Sequence, residues 1–147
     1  MSAAHEKILV ATDGSDESHL AIEKGLHLAQ LEDAELHLVH VGLLSEWVHP
    51  DTLSERQFER LEQEARDLLD EEVAYAENAG GTVTEFHLRM GEADSEVIEL
   101  SEELGVDLIL VGTRGRDSFE RLVLGSDSEN IVRYAPCTVM VVRNVSS

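Results

Sequence analysis

Short apolar runs alternate with amphipathic stretches along the whole chain, which predicts strand and helix in strict alternation. Lys7-Ile8-Leu9-Val10-Ala11-Thr12 is a compact apolar run that ends in the turn-forming Asp13-Gly14-Ser15. A helix is predicted from about Glu17 to Leu31, with Leu20, Ala21, Leu28 and Ala29 as its apolar stripe and Gly25 marking close packing on a sheet. Glu35 to Val41 forms the second strand, and a less regular stretch from Gly42 to Leu53 follows. From about Ser54 to Asn78, Phe58, Leu61, Ala65, Leu68, Leu69, Val73 and Ala76 recur at three- and four-residue steps, which is a long amphipathic helix stopped by Gly80-Gly81.

The third strand is expected over about Thr82 to Met90, and its mixed alternation suits a sheet edge. Asp94 is placed as the cap of a third helix that carries Val97, Ile98, Leu100 and Leu104 and breaks at Gly105. Asp107 to Val111 is apolar on both faces and is therefore expected at the sheet centre. A glycine-spaced loop fills 112–125, a fourth helix runs from about Ser126 to Tyr134, and Thr138 to Val142 is the last strand. Five strands alternating with four helices predict a parallel, doubly wound α/β sheet in one domain spanning 1–147. Such sheets bind ligands outside the carboxyl ends of their strands, at the point where strand order reverses. Thr12-Asp13-Gly14 and the 112–125 loop are the two segments expected there.

Composition sharpens this picture in two respects. The chain has 31 acidic and 11 basic residues, a net charge of -20, with Lys7 and Lys24 its only lysines. That field repels nucleic acid and anionic lipid, so neither is expected as a partner. The acids spread over helical faces, which suits a halophilic protein: at molar salt the screening length is about 3 Å and self-repulsion fades. No apolar run is long enough to span a membrane, and Met1 to Lys7 lacks a signal-like apolar core, so a cytoplasmic location is expected. The single cysteine, Cys137, sits in an apolar setting and is expected to be a packing thiol.

Candidate chemistry concentrates in one loop. Gly112-Thr113-Arg114-Gly115 and Gly125-Ser126 give the spacing G-x2-G-x9-G-S. Gly112 ends a strand where a side chain would block a ligand, and Gly115 lets backbone amides turn inward. Gly125-Ser126 opens a helix whose free N–H groups suit a phosphate. The window 112–126 nets +1 inside this acidic chain, as an anion-binding loop requires. No phosphate-loop lysine is present, because neither Lys7 nor Lys24 lies there. Histidines stand at 5, 19, 27, 37, 40, 49 and 87. They offer no zinc spacing, His37 and His40 point to opposite faces of their strand, and no catalytic residue can be named.

These motifs resemble the ATP-binding type of the universal stress protein family. The glycine pattern after Asp107 to Val111, the opening Ile8 to Ser15, the His40-Val41 strand end and the closing Ala135 to Arg143 match in order over nearly the whole chain. The resemblance implies strand order 3-2-1-4-5, the fold of adenine-nucleotide alpha-hydrolases. It places Asp13 near a ribose, Val41 at adenine through its backbone, and Gly112, Arg114 and Gly115 beside ribose and phosphates. Gly125, Ser126 and Ser128 would take the phosphate chain, with Mg²⁺ or Mn²⁺ as an accompanying ion. It further implies a homodimer through Thr138 to Val142. Asp127 departs from the small or apolar residue usual at that place: favourable at the start of an empty helix, it opposes a triphosphate unless it turns away or shares a cation. The leading expectation is an ATP-binding regulatory protein of the stress response. A slow adenine-nucleotide hydrolase and a dimeric interaction module without nucleotide are the alternatives.

Overall fold

The computed structural model describes residues 4–43, 53–113 and 126–143. Among the described residues nine elements follow one another: β1 (Lys7–Thr12), α1 (Asp16–Glu32), β2 (Glu35–Leu43), α2 (Glu55–Asn78), β3 (Glu85–Gly91), α3 (Ala93–Leu104), β4 (Leu108–Gly112), α4 (Ser126–Tyr134) and β5 (Thr138–Val142). All strand pairs are parallel and the order is β3-β2-β1-β4-β5, as the alternation of elements and the family resemblance imply. The strand with the longest uninterrupted aliphatic run, β4, is wholly buried, and β3 is an edge.

Two apolar layers sandwich the sheet. On one face Ile8, Val10, Leu36, Leu38, Leu108 and Leu110 pack with Ala21, Ile22 and Leu26 of α1 and Ala76 of α2. On the other, Leu9, Val39, Ile109 and Val111 pack with Val97 and Leu100 of α3 and Ile131 of α4. Alternation within each strand sends successive side chains to opposite layers. Gly25 permits the close approach of α1: a Cβ there would lie 2.7 Å from Val10 Cγ2. Caps fix the helix starts. Ser15 accepts from Ser18 N at α1, and Ser54 with Gln57 forms a capping box at α2. Gly105 ends α3 at φ 70°, as its position predicts.

Two sequence expectations need correction. Asp94 does not cap α3; Glu92 occupies that place without a side-chain bond. Asp94 lies inside the first turn, accepting from Ser95 N and, at 2.8 Å, from Asn130 Nδ2 of α4, so it ties two helices together. The β3 ladder begins at Glu85 and not at Thr82, because Thr84 turns its hydroxyl back to accept from Leu36 N at 3.1 Å.

Candidate functional site

The cleft arises where the central strands part. β1 pairs with β4 only from Ile8 to Val10, opposite Leu108 to Leu110. Beyond that, β1 stays with β2 as far as Thr12 opposite His40. β4 stays with β5 as far as Gly112 opposite Val142, and Thr113 N continues the ladder to Val142 O at 3.1 Å. The strand ends therefore diverge at the switch point, where doubly wound sheets bind ligands. A cavity of about 800 Å³ opens there, in the usual range for small-molecule sites.

The floor is built from strand ends. His40 donates Nδ1–H to Thr12 O at 2.9 Å, which pins the end of β1 to β2. Asp13 Oδ1 accepts from Ser15 N at 2.9 Å, so the Asp13-Gly14-Ser15 turn is closed by its own side chain, and Gly14 takes φ 82°. Val39, Val41 and Val111 supply an apolar wall; Leu61, Ala65 and Leu68 of α2 and Met90 of β3 extend it. The lining thus combines an apolar wall with the carboxylates of Asp13, Glu64 and Asp127 and the first turn of α4.

Of the residues expected from sequence, Asp13, Val41, Gly112 and Ser128 line this cavity together. Ser126 begins α4. Arg114, Gly115 and Gly125 lie outside the described residues. Ser128 is buried and donates its hydroxyl to Gly112 O at 2.7 Å, joining the two ends of the glycine-spaced segment. Gly112 has a packing reason besides its place in the cavity lining. A Cβ there would sit 2.8 Å from Glu17 Cβ and 3.1 Å from Glu17 C, so the glycine is required by the approach of α1.

Asp127 faces three other acids. Partial desolvation and the charges of Asp94, Asp13 and Glu92 push its carboxyl above the usual carboxylate range, although Asp94 also gives it a backbone hydrogen bond. These neighbours work against the benefit expected of an acid at a helix start. Among the described residues no lysine or arginine lines the cavity, whereas Asp13, Glu64 and Asp127 do. Asp13 and Asp127 are carboxylates of the kind that could hold a divalent cation at this site. Sequence reasoning missed the contributions of Leu61, Leu68 and Met90, because their helical or strand periodicity signals burial without saying against what.

Beneath the cleft lies a buried polar cluster. Thr12 Oγ1 donates to Glu72 Oε2 at 2.9 Å, and Ser18 Oγ donates to Ser15 O at 2.9 Å. Cys137 packs at the side of the α3 layer, with its thiol pushed up by burial and by Asp107.

A parallel five-stranded sheet with a cleft at its switch point defines a doubly wound α/β protein with a ligand-type cleft. The universal stress protein family model matches residues 5–143, and the chain belongs to that family. A Staphylococcus haemolyticus protein bearing the universal stress protein name is 38% identical over 140 residues, covering 95% of this chain and 85% of its own length. Among solved structures, the universal stress protein UspA from Lactobacillus plantarum superposes with a TM-score of 0.81 at 25% identity, covering 97% of this chain and 100% of that one. A universal stress protein in complex with cAMP superposes with a TM-score of 0.73 at 25% identity, covering 98% and 100%.

Proposed function

We propose that this chain binds an adenine nucleotide, ATP, in the cleft between β1 and β4, and acts as a regulatory stress-response protein without efficient turnover. The observation that carries this reading is the convergence of Asp13, Val41, Gly112 and Ser128 on one cavity of about 800 Å³. These residues come from four separate segments of the chain. The cavity's polarity suits the ligand, with an apolar wall for a base and a helix start for phosphates. The cAMP complex of a similar protein supports the adenine part.

In this reading Val41 and its neighbours hold adenine through backbone groups, and Asp13 accepts from ribose hydroxyls. The first turn of α4 and the segment with Arg114, Gly115 and Gly125 take the phosphates. Ser128 acts by holding the end of β4, since its proton is already given to Gly112. Mg²⁺ or Mn²⁺ offsets Asp127 and supplies charge neutralisation. Homodimerisation through β5 is part of the proposal: β5 pairs with β4 on one side only, and its edge is open to a second copy.

Calorimetric titration of the full chain with ATP, AMP and cAMP, in Mg²⁺ and in EDTA, tests it. ATP should bind with one site per chain, and Gly115→Val should abolish binding while the far-UV circular dichroism stays unchanged. Absence of ATP binding, or equal binding by the variant, overturns the assignment. Steady release of ADP or AMP would make the protein a hydrolase instead.

A further inference from the structure

Two histidines that the cleft does not use meet at the other end of the sheet. His37 lies near the start of β2 and His87 in β3. The parallel register sets His37 opposite Glu85 and Val39 opposite His87. Parallel partners and alternate residues share a face, so His37, Glu85 and His87 project from the same side of the sheet. His37 Nδ1 is 3.1 Å from His87 Nε2 and 3.8 Å from Glu85 Oε1. One ligand atom from each residue falls within 4.8 Å of the other two. The remaining ring nitrogen of His37, Nε2, faces Glu35 Oε1 at 3.3 Å.

We propose that His37, Glu85 and His87 form a binding site for one zinc ion at the β2–β3 edge, with Glu35 orienting the His37 ring. Zinc bonds of about 2.0–2.2 Å to nitrogen and oxygen in a tetrahedron put ligand atoms roughly 3.3–3.5 Å apart. The 3.1 and 3.8 Å separations bracket that value. Two imidazoles and one carboxylate are a zinc donor set, and water completes the tetrahedron. The Glu35 carboxylate holds the Nε2 proton of His37 and so leaves the Nδ1 lone pair for the metal, the relay common behind zinc-bound histidines. Glu35 and Glu85 are about half exposed, which gives the ion a route in and lets Glu85 close the last fraction of an ångström by rotation.

A simple N–H···N bond between the rings accounts for His37 and His87 alone. Glu35 and Glu85 pair with a protonated His37, whereas a neutral His37 leaves Nδ1, His87 Nε2 and the Glu85 carboxylate as three converging donors. His37 precedes Val41 by four residues, about 13 Å along a strand, so this site is separate from the nucleotide cleft. Zinc here would clamp the edge strand β3 to β2.

The test is titration of the metal-stripped full chain with zinc chloride at fixed KCl, read by calorimetry and by ¹⁵N spectra of the imidazoles. One zinc per chain should bind and shift His37 Nδ1 and His87 Nε2. His87→Ala and Glu85→Gln should each weaken binding by more than tenfold. Glu35→Gln should weaken it by roughly tenfold, as loss of an orienting partner does. His27→Ala, at an exposed histidine, should change nothing. Zinc binding that persists in His87→Ala, or unmoved His37 and His87 signals in the wild type, overturns the site. The wild-type spectra decide the matter even if a variant fails to fold.

Discussion

Glu72 of α2 and His19 of α1 meet beneath the cleft, with His19 Nε2 3.1 Å from a carboxylate that is only 2% exposed. The same carboxylate takes the Thr12 hydroxyl, so one acid joins two helices to the end of β1. Tyr75 stacks on the His19 ring at 4.0 Å between centroids and donates to Glu23 at 2.6 Å, completing the lock. Glu72→Ala should destabilise the protein by about 2–4 kcal/mol, because it strands Thr12 and leaves a cavity. Glu72→Gln should cost less, since an amide oxygen can still accept. Urea unfolding of both variants gives the comparison, and equal costs would contradict it.

Tyr75 carries a pH signature. Its hydrogen bond to Glu23, then burial and the charges of Glu23, Glu72 and Asp16, push its pKa up from 10.0 to about 12. The folded state keeps the phenol proton longer than the unfolded chain does. This contribution is therefore intact below pH 10 and is lost as pH rises from 10 to about 12. Melting temperature measured across that window should fall less steeply for Tyr75→Phe than for the wild type.

Gly112→Ala separates packing from binding. The added Cβ meets Glu17 Cβ at 2.8 Å, so overpacking should cost about 1–3 kcal/mol even without nucleotide. Chemical denaturation of the ligand-free variant checks this. A neutral result would return the glycine to a purely ligand-facing role.

Asp127→Asn should stabilise the ligand-free protein near neutral pH. The raised pKa means that the folded state holds this proton more tightly than the unfolded chain, so the charged form is a cost at neutral pH. That cost is relieved as pH falls through the folded value. After allowance for solvent screening, a gain of about 1–2 °C is expected, shrinking on acidification. The same variant should bind ATP more tightly in EDTA, and the difference should narrow in Mg²⁺. Paired titrations at fixed salt measure it; weaker binding in EDTA would show the sign to be wrong.

Salt should stabilise the fold. With a net charge of -20, melting temperature should climb steadily from about 0.1 to about 3 M KCl as self-repulsion is screened. A flat profile would remove the halophilic reading.

The succession of strands and helices, the parallel sheet and the carboxyl-end cleft were legible because apolar periodicity and turn residues are local signals, whereas the strand order came from the family resemblance. Gly25 was read for the right reason, whereas the packing role of Gly112 was not read at all: the approach of α1 is a tertiary fact that no local pattern carries. Asp94 resembled a cap because any acid before a helix does, and only the position of Asn130 shows its real partner. Glu72 was hidden among the many acids of α2, where a buried carboxylate looks like a solvated one. The His37–His87 pair was invisible for a topological reason. The two residues are fifty positions apart, and the β2–β3 register that unites them is set by a sheet and not by spacing.

The bond from Ser128 Oγ to Gly112 O has a consequence for how this chain can vary. It ties the end of β4 to the first turn of α4, so the two anchors on either side of the intervening residues are joined to each other by a side chain of α4. For a flexible segment, closure entropy grows only logarithmically with length, and doubling it costs about 0.6 kcal/mol. Insertions, deletions or wholesale exchange between the two anchors therefore leave the scaffold nearly untouched. If the proposed binding role of the intervening residues holds, the clasp makes them a replaceable cartridge, through which one fold can be re-aimed at different anions without being redesigned.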